Sequence, residues 1–434
     1  MALHLLFIAA TLSIAAVAPA VFWGGLVVAM LASVIFLVIC HPTIFCTAWV
    51  LIAGMSLEMA LADFVGPEAF QPAIAGIKAL QIGLALICAL RWGARIDPLN
   101  PAFCFIVMGA VGLVHGLAPG LTPADSLRSI VGSVAPFVFG LVRLPPFWAA
   151  RMIRVIPWCA VAAVLGGALL AAAHLRPLFI QSGGWRLAGL GHPAFLANVC
   201  LPAVYASLLC HYRDGGLGSL ALIVANMTIL LLTGARAPFL YGALLIALAL
   251  LCVTAPGLPF RRRLPLLLIA ALIAPILVFV SGSLTELRLF GLLNADLGHL
   301  SGRDMLWPVF EAAARDSPWF GWGVGAGNAI IPPGDPVARV LHTWAAHNEY
   351  LRIEVEGGQV GRGLLLVGFA AWVWRRSRPL AASDRGIVRL IFIALSAQCI
   401  TDNVLISTPA CVLFTLIAAI FASPPGLPDS RETA

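Results

Sequence analysis

Charge is what this sequence has least of. Only 10% of its 434 residues are charged against 61% hydrophobic, and the mean hydropathy is +1.00. That leaves too little polar surface to cover a soluble globule of this size, so lipid must be the solvent. A large water-soluble domain is excluded as well, because an apolar helix crosses a bilayer core in about 20 residues and such runs use up most of the chain. Lysine is almost absent, Lys78 being the only one. The other basic residues are arginines dispersed in pairs and triplets between apolar runs, so the net charge of +7 points to no nucleic-acid partner. The ten cysteines lie within or at the ends of apolar runs, with no CxxC pair and none between 282 and 346, which argues against a disulfide framework and a thiolate metal site. A GxxxxGK[ST] loop, an internal repeat and a low-complexity tract are absent too.

What is there is a series of apolar runs bounded by Gly, Pro and charge, near 2–22, 24–40, 43–62, 73–90, 101–118, 126–144, 152–173, 193–212, 217–233, 237–254, 264–281, 350–374, 386–404 and 408–422. They predict an all-α, polytopic integral membrane protein with about 12 to 14 crossings, some of the shorter runs being tilted or re-entrant. The first run lacks the basic start of a signal peptide and reads as the first span. Arg91 and Arg95, Arg143, Arg151 and Arg154, Arg213, Arg261 to Arg263, and Arg375, Arg376 and Arg378 fall in alternate short loops. The positive-inside rule makes those loops cytoplasmic, puts both termini in the cytoplasm, and sends the one long loop to the outer side of the membrane. Three regions follow: an N-terminal transmembrane bundle over 1–281, a periplasmic loop with short amphipathic helices over 282–346, and C-terminal transmembrane helices with a short cytoplasmic tail over 347–434. Within the loop, the stretch from Asp304 to Arg315 reads as an amphipathic helix near the membrane surface, followed by irregular Gly- and Pro-rich backbone.

The densest polar constellation is AHNEYLRIEVEGGQVG, Ala346 to Gly361, where the loop returns to the membrane. His347, Tyr350, Arg352, Glu354 and Glu356 occupy the first turns of a span, where polar groups need a partner or water. The bland alternative is an interfacial anchor with an i,i+4 ion pair between Arg352 and Glu356. Arg236 stands alone in LLLTGARAPFL between two apolar runs, as an anion site or as an arginine snorkelling to lipid phosphate. Arg303 in SGRDMLW holds an anion or pairs in water with Asp304 or Asp296. Arg186 in GGWRLAGLGHPAFLAN is a third candidate, with His192 nearby. The predicted topology puts Arg186, Arg236, Arg303 and His347 on one outer face. Guanidiniums grip phosphate oxygens through a planar fork at any relevant pH, and an imidazole can take a proton near neutrality. The set suits an anionic, diphosphate-bearing ligand.

At SGRDMLW, DSPWFGWGVGAGN and HNEYLRIEVEGGQVG, preceded by LTGARAPFL and RLAGLGHPAFLAN, the chain resembles the O-antigen ligase family, in the superfamily it shares with O-antigen polymerases. The resemblance implies a metal-independent, inverting, GT-C-like glycosyltransferase of the integral-membrane type, with no cofactor and a periplasmic active site. Its partners would be an undecaprenyl-diphosphate-linked glycan donor and the lipid A core acceptor of lipopolysaccharide, with no nucleic acid. Carried over by motif, His347, Arg236 and Arg303 become the catalytic residues, and Arg186, Asn348, Tyr350 and Arg352 substrate-binding residues. An O-antigen or exopolysaccharide polymerase, a protein-modifying oligosaccharyltransferase and a polytopic lipid or glycan transporter are the other readings of the same composition.

Overall fold

The computed structural model describes residues 36–66, 70–182, 184–254, 263, 303–332, 335, 338, 339, 343 and 345–423. The spans expected over 2–22 and 264–281, most of that over 24–40, the first part of the long loop and the C-terminal tail lie outside the described residues. The chain divides into two compact units, 1–48 and 49–434; in the first, 36–40 and 42–48 are helical.

The described helices are α1 (Pro42–Met55), α2 (Leu57–Val65), α3 (Phe70–Trp92), α4 (Pro101–His115), α5 (Pro123–Val134), α6 (Pro146–Val155), α7 (Cys159–Ala172), α8 (Pro193–Asp214), α9 (Leu217–Leu232), α10 (Arg236–Cys252), α11 (Arg303–Asp316), α12 (Glu349–Ser377), α13 (Ala382–Gln398) and α14 (Thr408–Ala422). A short antiparallel hairpin, β1 (Phe179–Gln181) with β2 (Trp185–Leu187), is the one sheet among the described residues. By length and composition, three stretches are long and apolar enough to cross a membrane: Pro72–Trp92, Pro146–Ala172 and Pro193–Asp214. Five shorter helices, α1, α4, α9, α10 and α14, are also apolar.

Proline explains where elements depart from the apolar runs. The run 126–144 is α only to Val134 and tightens into a 3-10 segment, Ala135–Leu141, because Pro136 has no N–H to give the α-helical ladder and its ring crowds the turn before it. Pro157 has the same effect between α6 and α7, where Ile156–Trp158 is 3-10. The run 386–404 is helical only to Gln398, leaving 399–407 as a loop.

At the centre lies α14, buried along nearly its whole length and packed on the 3-10 segment, α6 and α8. A helix apolar all round has no solvent face to spare and takes the core. Its Phe414 meets Phe137 and Phe369, and its Phe421 meets Trp372, ring edge to ring face.

The basic loops gather at one end of this bundle. Arg375 pairs with Asp97, Arg213 pairs with Asp384 at 2.7 Å, the Arg143 amide donates to Gly93, and Arg263 lies over the Tyr212 ring. His347 and its partners sit at the other end, where α8 and α12 begin and α13 ends.

Helix α12 is broken at Gly358, which has φ 61° and ψ −166°. The segment after α11 fills the break: the amides of Trp322 and Gly323 donate to the carbonyls of Val355 and Glu356 at 2.8 and 3.0 Å, and those of Gln359 and Val360 donate to Pro318 and Trp319 at 2.8 and 3.1 Å. A Cβ on Gly358 would stand 2.3 Å from the Trp319 carbonyl carbon, and one on Gly321, with φ 69°, would stand 2.5 Å from that of Glu356. Glycine is therefore required at both positions. We expect Gly358→Ala to destabilise the protein by about 2 kcal/mol or more, whereas Gly363→Ala, in the same helix with nothing within 4 Å of a new Cβ, should be neutral. Thermal unfolding in detergent checks this; equal midpoints for the two variants would refute the account of the break.

Candidate functional site

The turn carrying His347 is held from several directions. Asn348 caps α12, its side-chain oxygen accepting from the Leu351 amide at 3.2 Å. The Glu349 amide donates to Cys399 O at 2.7 Å, and the Tyr350 hydroxyl donates to Ser396 O at 2.8 Å. From above, the Trp307 indole of α11 donates to Ala346 O at 2.9 Å, and Phe310, Leu306, Ala314, Ala346, Leu351 and Val355 form a small apolar cluster there. So fastened, His347 adopts φ 47°, a left-handed conformation uncommon outside glycine. Such a conformation persists where the surroundings over-determine it.

The imidazole has a partner on each nitrogen. Nδ1 lies 3.4 Å from Asp402 Oδ1, and Nε2 lies 3.1 Å from the Thr343 hydroxyl. Asp402 sits in the loop after α13, and its other oxygen accepts from the Asn198 amide of α8 at 3.0 Å. Asn198 Oδ1 in turn accepts from Gln398 Nε2 at 2.8 Å, and the Asn403 amide donates to Asp402 Oδ1 at 2.8 Å. Burial pushes the Asp402 carboxyl up; the His347 ring, the Asn198 amide and the Asn403 N–H more than offset this and hold it below the ordinary carboxylate range. With Nδ1–H donating to a carboxylate, Nε2 is the ring nitrogen left to accept a proton.

Arg352 lies in the next turn, 2% exposed. Its guanidinium forks onto both oxygens of Glu349 and also donates to Glu356. The ion pair at i,i+4 is thus present, and Arg352 is paired with two carboxylates of its own helix. Glu354, by contrast, pairs with Arg362 further along.

Arg186, on β2 and 7% exposed, donates through Nε to Thr233 O at 2.8 Å. This ties the hairpin to the turn Thr233 to Ala235, where Gly234 has φ 65° and the Ala235 amide donates to the Thr233 hydroxyl at 3.3 Å. Arg236 is the first residue of α10, directly after that turn. One turn further on, the Tyr241 hydroxyl donates to Ala397 O at 3.0 Å and lies 3.2 Å from the Thr401 hydroxyl, beside Asp402. Arg186 is thus tied to the turn before Arg236, and Tyr241 of the same helix is tied to the end of α13 and the loop that holds Asp402. Arg303 opens α11 one turn before Trp307; its side chain lies outside the described residues.

Asp402, Asn198, Gln398 and Thr343 were not singled out by the sequence reading. Asp402 left a signal, an acid within the otherwise apolar run 386–404, whereas Asn198 and Thr343 look like ordinary helix and loop residues until the fold brings them to His347.

Bundle and site together define a class: an all-helical protein with apolar, membrane-type helices and an imidazole–carboxylate pair at one end. A family described as O-Antigen ligase matches residues 220–367, the stretch that holds Arg236, Arg303, the Gly-rich segment and His347. No curated protein matches the chain. Over those residues the chain is similar to that family.

Asp402 also sets a pH expectation. Because its folded pKa is depressed, its stabilising contribution is fully present above the ordinary aspartate value of about 3.9 and is lost as pH falls through the folded value. Native protein should therefore exceed Asp402→Asn in thermal midpoint from neutral pH down to about 4, with the gap closing below. A gap that widened on acidification would contradict the assignment of the shift.

Proposed function

We propose that the protein transfers a glycan from undecaprenyl diphosphate to a hydroxyl of the lipid A core, as an O-antigen ligase working on the periplasmic face of the bacterial inner membrane. The observation that carries this reading is His347, oriented by Asp402 through one nitrogen and facing a hydroxyl with the other. Separation of the basic loops from the His347 end supports the orientation, since arginine-rich short loops stay on the cytoplasmic side.

In the proposed step the acceptor oxygen attacks the anomeric carbon while the bond from that carbon to the diphosphate oxygen breaks. The bonding pair leaves with the diphosphate, and the acceptor proton passes to His347 Nε2. Thr343 Oγ1 marks the place a hydroxyl takes there. Asp402 steadies the imidazolium that forms. Arg236 and Arg303, with Arg186 behind the Arg236 turn, supply fixed positive charge where negative charge develops on the leaving group. Attack opposite the diphosphate inverts the anomeric centre. Asn348, Tyr350 and Arg352 hold the His347 turn in place.

The test is purified protein with undecaprenyl-diphosphate glycan and lipid A core. A ligase joins the two; a polymerase lengthens the donor glycan and ignores the core; a transporter does neither. His347→Ala should lose about 10²- to 10⁴-fold in kcat at unchanged expression. Arg236→Ala should lose donor affinity by about tenfold or more, and Arg236→Lys should lose less. Full activity in His347→Ala would end the base assignment.

A further inference from the structure

A cavity of about 550 Å³ opens between α3, α5 and the first turns of α12. That size lies within the range of small-molecule sites. Its lining is mostly apolar, with polar groups from several elements: Lys78 of α3, Arg128, Ser129 and Ser133 of α5, Asn328 after the Gly-rich segment, and Glu356. Arg352 reaches it too, but its guanidinium is already committed to Glu349 and Glu356.

Lys78 is the unusual member. It is 7% exposed, and its Nζ donates to Ile406 O at 2.6 Å. An ammonium has three N–H donors, and among the described residues this is the one hydrogen bond that Lys78 makes. Opposite it α5 carries a glycine: a Cβ at Gly132 would stand 3.3 Å from Nζ, so the bare backbone there leaves the ammonium beside open space. Glu58 of α2 lines a separate apolar groove against the other face of α3 and acts on Lys78 only through space. Arg128 pairs with Asp125 in an exposed position at 3.3 Å. A buried cation with spare donors, set among hydroxyls, an amide and one carboxylate, is complementary to a polyhydroxylated ligand bearing an anion.

Arg186 of β2 is tied to the turn before Arg236, and Tyr241 of α10 is tied to the end of α13 and the Asp402 loop. The cavity approaches the first turns of α12 from α3 and α5, and Ile406, which binds Lys78, belongs to the loop that holds Asp402. We propose that this cavity is a subsite for an acidic saccharide of the acceptor glycolipid, whose carboxylate or phosphate is held by Lys78 and whose hydroxyls are held by Ser129, Ser133, Asn328 and Glu356. The inference rests on the transfer reading only for the identity of the acceptor.

Native mass spectrometry of the full-length protein in detergent tests it, with lipid A core as the probe in three forms: intact, dephosphorylated, and carboxyl-reduced. One of the neutralised forms should bind native protein about tenfold more weakly, the loss of one charge-assisted hydrogen bond; which one it is names the anion. Lys78→Met should lose the same factor on intact acceptor and no longer distinguish the forms, and Lys78→Arg should recover part of it. Equal discrimination by Lys78→Met and native protein overturns the proposal, as does displacement of the intact acceptor by phosphatidylglycerol at equal concentration, which would make this a phospholipid site. Should Lys78→Met fail to accumulate, Ala124→Trp, at an exposed position on the cavity wall, serves instead: acceptor binding must fall while donor binding stays, and unchanged acceptor binding overturns the subsite. Because binding is read without turnover, an absence of transfer beside intact discrimination sinks the transferase reading alone.

Discussion

The break in α12 at Gly358 is the constraint on which the rest of this end of the molecule depends. A helix interrupted in its middle leaves amides and carbonyls without partners, and inside an apolar bundle each unpaired group costs as much as a lost hydrogen bond or more. The segment 318–323 meets them with four backbone bonds, so the break and the Gly-rich loop stabilise one another and neither is sound alone. That pairing anchors the chain after α11, and α11 then covers the His347 turn through Trp307. The same loop is tied to the opposite wall, where the Ala118 amide donates to Trp322 O and the Ser126 hydroxyl donates to Val324 O.

The buried trio of Glu349, Arg352 and Glu356 works one level below. Bringing charges out of water costs several kcal/mol per ion, and a buried pair recovers this only with good geometry and no remaining unpaired donors. Arg352 approaches that condition with three of the five N–H donors of a guanidinium, two forked onto Glu349 and one on Glu356. The gain is in specificity more than in stability: any other rotation of the first turns of α12 would strand a buried charge, so the trio fixes the direction in which His347 leaves the helix.

How much of this was legible in the sequence depends on the range over which each feature is decided. Apolar runs are local, and most of the described helices fall where the runs predict them; the differences at Pro136 and Pro157 are local too and readable as backbone chemistry. The helix over Arg303–Asp316 follows from its amphipathic spacing, and the ion pair of Arg352 with Glu356 from i,i+4 separation. HNEYL and GWGVGAG were recognisable as two motifs. Their union was not, because glycines at 321 and 358 make sense only once two backbones approach within 2.5 Å of where a side chain would be. Asp402 and Asn198 were illegible for a similar reason: 55 and 149 residues from His347 in sequence, Asp402 becomes its partner, and Asn198 the partner of Asp402, only when the start of α8 and the end of α13 come to the same level.

On the proposed reading, the cation assigned to the ligand differs between the two flanks of His347, since Arg128 and Arg352 of the cavity are already paired with carboxylates, and the difference follows from the chemistry each must meet. A departing diphosphate presents several oxygens in fixed planes and gains charge as its bond breaks, which suits arginines, permanently charged and geometrically rigid. A saccharide acid that stays intact needs no extra stabilisation in the transition state; tight, directional binding there would deepen the ground state without raising the rate. One lysine, a compact point charge on a flexible stem, holds such a group without fixing its orientation. The only lysine in the chain is found on the flank where a point charge suffices.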